Sequence, residues 1–273
     1  MSQSPVLSLE DLHVTHRVRG GKLFKPTLVR AVDGVDFQVS RGETVGIVGE
    51  SGCGKSTLAN VLVGLQPPTS GVRRFRGKEY SGRTAAQRKE FGRAVSIVFQ
   101  DPSTALNPRM TVQDILTDPL IIHGVGDAAS RAARVRELLE LVGLPRSAAA
   151  VAPGQISGGQ RQRVAIARAL ALGPELIVAD EPTSALDVSV RAQVLNLLGD
   201  LKAELDLGMV FISHDIQTVR YISDRICVMN AGRIVEEGSA EQVLENPNND
   251  YTRTLLGAAP TLLKGPEKNP EAA

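Results

Sequence analysis

Tryptophan is absent from the 273 residues, and 3 Tyr with 6 Phe bring the aromatic share to only 3%. A chain this poor in rings has no base-stacking platform for single-stranded nucleic acid. It also lacks an excess of charge: 31 Lys and Arg stand against 30 Asp and Glu, a formal net charge of +1. That excludes the basic footprint that binding a phosphate backbone requires, so no nucleic-acid partner is expected. There are 2 cysteines, Cys53 in a glycine-rich stretch and Cys227 in the apolar Arg-Ile-Cys-Val-Met. Neither belongs to a disulfide framework or a metal cluster, and a reducing compartment is the expectation. Long hydrophobic runs are missing as well. The best, Val-Ala-Ile-Ala-Arg-Ala-Leu-Ala-Leu, is short and carries Arg168, and the N-terminal MSQSPVLSLEDL has no basic-then-apolar signal pattern. Work at a membrane would pass through partners.

What is present is an ordinary core-forming composition, 42% hydrophobic and 22% charged, in a length that fits one large or two small domains. Strand-like apolar runs alternate with helical patterns, the signature of an α/β protein with a largely parallel sheet. The buried-strand candidates are Thr-Val-Gly-Ile-Val (44–48), Val-Ser-Ile-Val-Phe (95–99), Glu-Leu-Ile-Val-Ala (175–179) and Met-Val-Phe-Ile-Ser (209–213). They run into Gly49, Gln100, Asp180 with Glu181, and His214, respectively. Polar groups at the carboxyl ends of several strands are what an open α/β sheet uses to build a site. The N-terminal segment differs. Its alternation predicts an antiparallel β portion with turns at Gly20-Gly21 and Asp33-Gly34. Between Gln100 and Ser157 the pattern is helix-rich, with a helix over 131–143 stopped by glycine. After Gly257 the sequence reads as a mobile tail, and no internal repeats occur.

The stretch Gly-Glu-Ser-Gly-Cys-Gly-Lys-Ser-Thr, Gly49 to Thr57, meets G-x-x-x-x-G-K-[ST] between a strand and a helix. Glycines let the backbone curl so that successive N–H groups of Gly49, Glu50, Ser51, Gly52, Cys53 and Gly54 face phosphate oxygens. The following helix turns its positive end to the same anion. Lys55 supplies a point charge, and Ser56, next to Thr57, offers a hydroxyl to Mg²⁺. Asp180 and Glu181 give a carboxylate for the Mg²⁺ shell and a group to orient or deprotonate water; alone, Asp-Glu-Pro would read as a turn. His214 has the chemistry to bond a γ-phosphate or steady the water, and Gln100 to reach Mg²⁺ or water through its amide. Either would otherwise be a structural or solvated residue. Ser157-Gly158-Gly159-Gln160 opens a second helix with serine at a plausible N-cap. In isolation this is a plain capped helix.

In order, GESGCGKST, SIVFQDP (96–102), ISGGQRQR (156–163), LIVADEP (176–182), SALD (184–187) and FISHD (211–215) resemble the Walker A, Q-loop, signature, Walker B, D-loop and H-loop of ABC transporter ATPase subunits. The resemblance covers nearly the whole chain. Its signature begins with Ile156, where leucine is usual. It implies the P-loop NTPase fold of ABC ATPases: a mostly parallel central sheet, an N-terminal antiparallel β portion and a helical subdomain at about 101–170. These lie in one domain over 1–257, with a mobile tail over 258–273. The stretches QDPSTALNPRMTV (100–112), DVSV (187–190) and NPNNDYTRTLL (246–256) are further similar to the oligopeptide/dipeptide importer branch, which includes nickel and glutathione importers. Asp250 stands where that branch has proline, in a tail spanning about 240–260. The insert 17–30 resembles the second of the two ATPase subunits of such importers.

The resemblance implies ATP and Mg²⁺ as ligands, with Ser56, Gln100 and Asp180 at the metal. It implies Glu181 as base, His214 as γ-phosphate sensor and Lys55 on the phosphates. Ser157, Gly158, Gly159 and Gln160 would complete the ATP site of a second ATPase subunit, a copy of this chain or a different one, with Asp187 a contact across the dimer. Two permease subunits and, indirectly, a solute-binding protein would be the other partners, with the chain peripheral at the cytoplasmic face of the membrane. Adenine would stack on His16 or Phe24. The competing class is a soluble ABC ATPase of repair, translation or iron–sulfur assembly. The first would carry heptads, which are missing, the second a duplicated motif set, and the third no NDYTRTLL-type tail. A GTPase or small-molecule kinase leaves ISGGQ unexplained.

Overall fold

The computed structural model describes residues 4–19 and 26–258. A six-stranded sheet has the order β10 (Arg233–Ser239), β9 (Arg225–Asn230), β3 (Thr44–Val48), β8 (Gly208–Ser213), β7 (Leu176–Asp180), β6 (Val95–Val98), parallel except for β10. The four expected strands are therefore present, shifted at most by a residue. Their apolar runs are continuous because a parallel sheet is covered on both faces. Side chains alternate between two cores. Val45, Ile47, Leu176, Val178, Val210 and Ile212 enter one, and Val48, Ile177, Ala179, Met209 and Phe211 the other.

The first core lies against an antiparallel sheet of order β2 (Pro26–Val39), β1 (Leu7–Arg19), β4 (Ser70–Phe75), β5 (Lys78–Glu79). The turn expected at Asp33-Gly34 does not exist. Both sides of the dipeptide stay paired to β1, Val35 with Leu12 and Asp33 with His13, and the chain passes through a bulge with Gly34 at φ +72°. The Asp33 carboxylate, which made the dipeptide look like a turn, instead accepts from Arg233 at 2.6 Å and Arg30 at 3.3 Å. The other expected turn, Gly20-Gly21, lies outside the described residues, as does the tail beyond Ala258.

The second core is roofed by helices. After α1 (Lys55–Leu62) and α2 (Ala85–Ala94) come α3 (Pro102–Ala105), α4 (Val112–His123), α5 (Ala128–Leu141) and α6 (Gly158–Leu170). Then come α7 (Val188–Leu205), α8 (Ile216–Ile222), α9 (Ala240–Glu245) and α10 (Asp250–Ala258), the last helix among the described residues. The helix expected over 131–143 begins earlier because Asp127 caps it, accepting from Ser130 N–H at 2.8 Å. Among the described residues no helix is long and apolar enough to cross a membrane.

Leu138 of α5 is fully buried beside Leu116, Leu139 and Val164. Leu138→Ala is expected to cost about 2–5 kcal/mol in urea unfolding; a loss below about 1 kcal/mol would show that α4, α5 and α6 do not share one core.

Candidate nucleotide site

The sheet delivers the site. β3 ends at Val48, the chain curls through Gly49–Gly54, and α1 starts at Lys55. Gly54 caps α1 in the left-handed region at φ 110° and makes no side-chain cap bond, so the first N–H groups of the helix remain free for an anion. A Cβ there would stand 2.1 Å from the Ala31 carbonyl oxygen. Lys55 is buried at 5% exposure. Its Nζ donates to the carbonyls of Gly49 at 2.7 Å and Glu50 at 2.8 Å, and no ion pair holds it among the described residues. A buried cation resting on neutral carbonyls, beside an uncapped helix start, fits an incoming polyphosphate. The Cys53 side chain is buried in the first core, and burial pushes its thiol up. Its N–H donates back to Glu50 O at 3.3 Å.

Ser56, in the first turn of α1, has its hydroxyl 3.5 Å from Asp180 Oδ1, at the end of β7. Burial raises the Asp180 carboxyl, the hydrogen bond from Ser56 opposing it. Oxygen donors of this kind suit Mg²⁺, a hard cation. Glu181 follows in the left-handed region at φ 46°, a conformation that costs a non-glycine residue about 1 kcal/mol or more. It is held there by its N–H to Ile212 O at 2.9 Å and by its carbonyl, which accepts from the Ser184 hydroxyl at 3.1 Å. The effect is to turn its carboxylate toward Gln100 and His214. Gln100 Nε2 donates to Glu181 Oε2 at 3.3 Å, and His214 Nδ1 lies 3.0 Å from the same oxygen.

One cavity is thus lined by Ser51, Gly52, Gly54, Lys55, Ser56 and Thr57 from the loop, and by Gln100, Glu181 and His214 from strand ends. Ala31 of β2 also lines it. The sequence reading missed Ala31, and an alanine carries no signal. His16 sits on β1 opposite Val29 and does not line the cavity; Phe24 lies outside the described residues. Ser157, Gly158, Gly159 and Gln160 do not line it either. Ser157 and Gln160 close a capping box on α6, Ser157 N–H to Gln160 Oε1 at 3.0 Å and Gln160 N–H to Ser157 Oγ at 3.2 Å. Asp187 caps α7, and the Val190 N–H bonded to its carboxylate holds its carboxyl below the usual range.

A phosphate loop, a carboxylate pair at a strand end and a glutamine–glutamate–histidine cluster define a nucleoside-triphosphate hydrolase of the P-loop class. The ABC transporter family matches residues 32–184, more than half of the chain. This chain belongs to that family and is an ATPase. It is 45% identical over 260 residues to the oligopeptide transport ATP-binding protein OppF of Lactococcus lactis subsp. lactis (strain IL1403), covering 95% of this chain and 82% of that protein. It is 46% identical over 259 residues to the dipeptide transport ATP-binding protein DppF of Haemophilus influenzae (strain ATCC 51907 / DSM 11121 / KW20 / Rd), covering 95% and 79%. Among solved structures, the dimeric post-hydrolysis state of the ATP-binding cassette MJ0796 bound to ADP and Pi superposes with a TM-score of 0.75. It has 32% identity and covers 86% of this chain and 98% of that one. The cbiO1 protein of Clostridium perfringens, part of the ABC transporter complex cbiONQ, gives 0.76 at 28% identity, covering 89% and 92%.

Burial of Asp180 has a testable sign. A carboxyl raised by burial charges at a cost in the folded chain, a cost absent below the unfolded pKa and complete above the folded one. Asp180→Asn is therefore expected to raise the melting temperature of the ligand-free protein at pH 7 while abolishing stabilisation by MgATP. A ligand-free variant that melts below wild type, or one still stabilised by MgATP, contradicts this placement of the carboxylate.

Proposed function

We propose that this chain is the ATP-hydrolysing subunit of a peptide importer, peripheral at the cytoplasmic face of the membrane. The observation that carries the hydrolytic part is the meeting of Gln100, Glu181 and His214 at the mouth of the phosphate loop. The solute class is carried by relatives named for oligopeptide and dipeptide transport. On this reading residues 1–257 form one nucleotide-binding domain, with a helical subdomain at about 101–170.

Lys55 leaves the carbonyls of Gly49 and Glu50 for the phosphates, while the N–H groups from Gly52 to Thr57 close around them. Ser56 and Asp180, with Gln100, would hold Mg²⁺, which when bound would supply positive charge to neutralise the phosphoryl group. Glu181 orients the attacking water and takes its proton. Gln100 and His214, both bonded to the same carboxylate oxygen, fix its direction, and His214 faces the γ-phosphate. Ser157, Gly158, Gly159 and Gln160, which do not line this chain's own cavity, complete the site of a second ATPase subunit, with Asp187 across the dimer. That separation makes hydrolysis and dimer closure one event. Gln100 adjoins the exposed Phe99 and the helical block with exposed Ile121 and Ile122, which carry the motion to two permease subunits served by a solute-binding protein.

Glu181→Gln is expected to bind MgATP and to hydrolyse it about 10²–10⁴-fold more slowly. Ser157→Arg is expected to stop turnover while leaving nucleotide affinity at this chain's own loop intact. An unchanged rate in the first variant overturns the role of Glu181. Normal turnover in the second overturns the shared site.

A further inference from the structure

The C-terminal segment reaches the phosphate loop through the Tyr251 side chain, and the sequence around it fixes where that side chain sits. Asn248 and Asn249 donate their N–H groups to the two carboxylate oxygens of Glu236 on β10, at 2.7 and 3.2 Å. Asn249 Nδ2 donates to Val235 O at 3.2 Å, and its Oδ1 accepts from Tyr251 N–H at 2.9 Å, starting α10. Thr252 is fully buried, and Leu255 and Leu256 pack against the second core. With α10 seated on the sheet in this way, the Tyr251 hydroxyl accepts the Glu50 N–H at 3.2 Å.

That N–H belongs to the peptide unit whose carbonyl, Gly49 C=O, accepts Lys55 Nζ at 2.7 Å. The Gly49–Glu50 plane thus joins the phenol of the C-terminal helix to the ammonium of the loop. A third side is walled: a Cβ at Gly49 would stand 2.1 Å from the Met229 carbonyl oxygen and 2.8 Å from Cys53 Sγ. A peptide plane rotates as a unit, so losing the acceptor on its N–H frees its carbonyl as well. Burial pushes the Tyr251 phenol up, so it stays a neutral acceptor at physiological pH.

We propose that Tyr251 is a positioning residue of the nucleotide site: its hydroxyl holds the Gly49–Glu50 peptide plane, and through it the resting place of Lys55 and the preformed shape of the loop. It touches neither phosphate nor metal. A loop shaped in advance loses less entropy on binding, so the contact raises nucleotide affinity. It leaves the chemical step alone, because Gln100, Glu181 and His214 stand on other strand ends. This rests on the reading of Gly49–Thr57 as the nucleotide loop.

The test compares the full chain with Tyr251→Phe, which removes only the hydroxyl, and with Thr254→Ala, which removes a bond within α10 to Asp250 O. ADP binding is measured by calorimetry and ATP turnover by steady-state kinetics. Tyr251→Phe is expected to raise the ADP Kd and the KM for ATP about threefold to tenfold, the worth of one neutral hydrogen bond. Its kcat should be unchanged and its Kd shift absent from Thr254→Ala. Equal Kd values for wild type and Tyr251→Phe overturn the proposal, as do a fall in kcat at constant KM or an equal loss in Thr254→Ala. A wild-type chain that fails to bind ADP overturns instead the reading of the loop. Should Tyr251→Phe not fold, amide exchange at Glu50 in the wild-type chain decides. Slow exchange supports the bond, and exchange at the free-peptide rate overturns it.

Discussion

Lys55 carries its charge into the interior with carbonyl oxygens as its only close oxygen partners among the described residues. Taking an ammonium out of water costs several kcal/mol unless something replaces the lost hydration. Two carbonyl dipoles do so in part, and the rest is left for an anion to supply. The curl that places those dipoles needs the chain to pass close under Ala31 and Met229, where the carbonyls leave no room for a Cβ at Gly54 or Gly49. Those carbonyls are fixed in turn because β2 and β9 are bound into the two sheets. The site is therefore a property of the packing of both sheets around the loop rather than of the loop alone.

The parallel sheet does the rest by aligning ends. β6, β7 and β8 lie side by side and finish together. The residues at or just beyond their ends, Gln100, Asp180 with Glu181, and His214, therefore arrive at one edge although they are far apart in sequence. Glu181 pays for its place with a left-handed backbone. The Ile212 carbonyl that holds its N–H belongs to β8, the strand that delivers His214, so base and histidine are positioned through a common element.

How far the sequence could reveal this follows from the same physics. The four central strands were legible because burial on both faces forces an unbroken apolar run. The loop was legible because glycines, lysine and serine at fixed spacing have one economical use. Asp33-Gly34 misled because the dipeptide is a turn signal only when no partner strand continues beside it; here β1 does, and Arg233 takes the carboxylate. Ala31 was invisible, since its contribution is a backbone position that any residue in β2 would make. The bond between Glu50 and Tyr251 spans 201 residues, and no local pattern in either segment announces the other.

The signature residues show where geometry adds what a motif leaves open. In this chain Ser157 Oγ and Gln160 Oε1 each accept the other's backbone N–H in a capping box, which leaves the Ser157 hydroxyl proton as a donor for an anion. The first two residues of α6 are glycines, and a Cβ on Gly159 would stand 2.6 Å from Val190 Cγ1 at the start of α7. The helix start is thus pressed against the element that Asp187 caps. An anion arriving at Ser157 would accept from its hydroxyl at a helix N-terminus, where the dipole favours negative charge. It would do so without unfolding the turn, because the α6–α7 contact holds the backbone in place. The signature turn is thus held rigid by its own capping box and by its contact with α7.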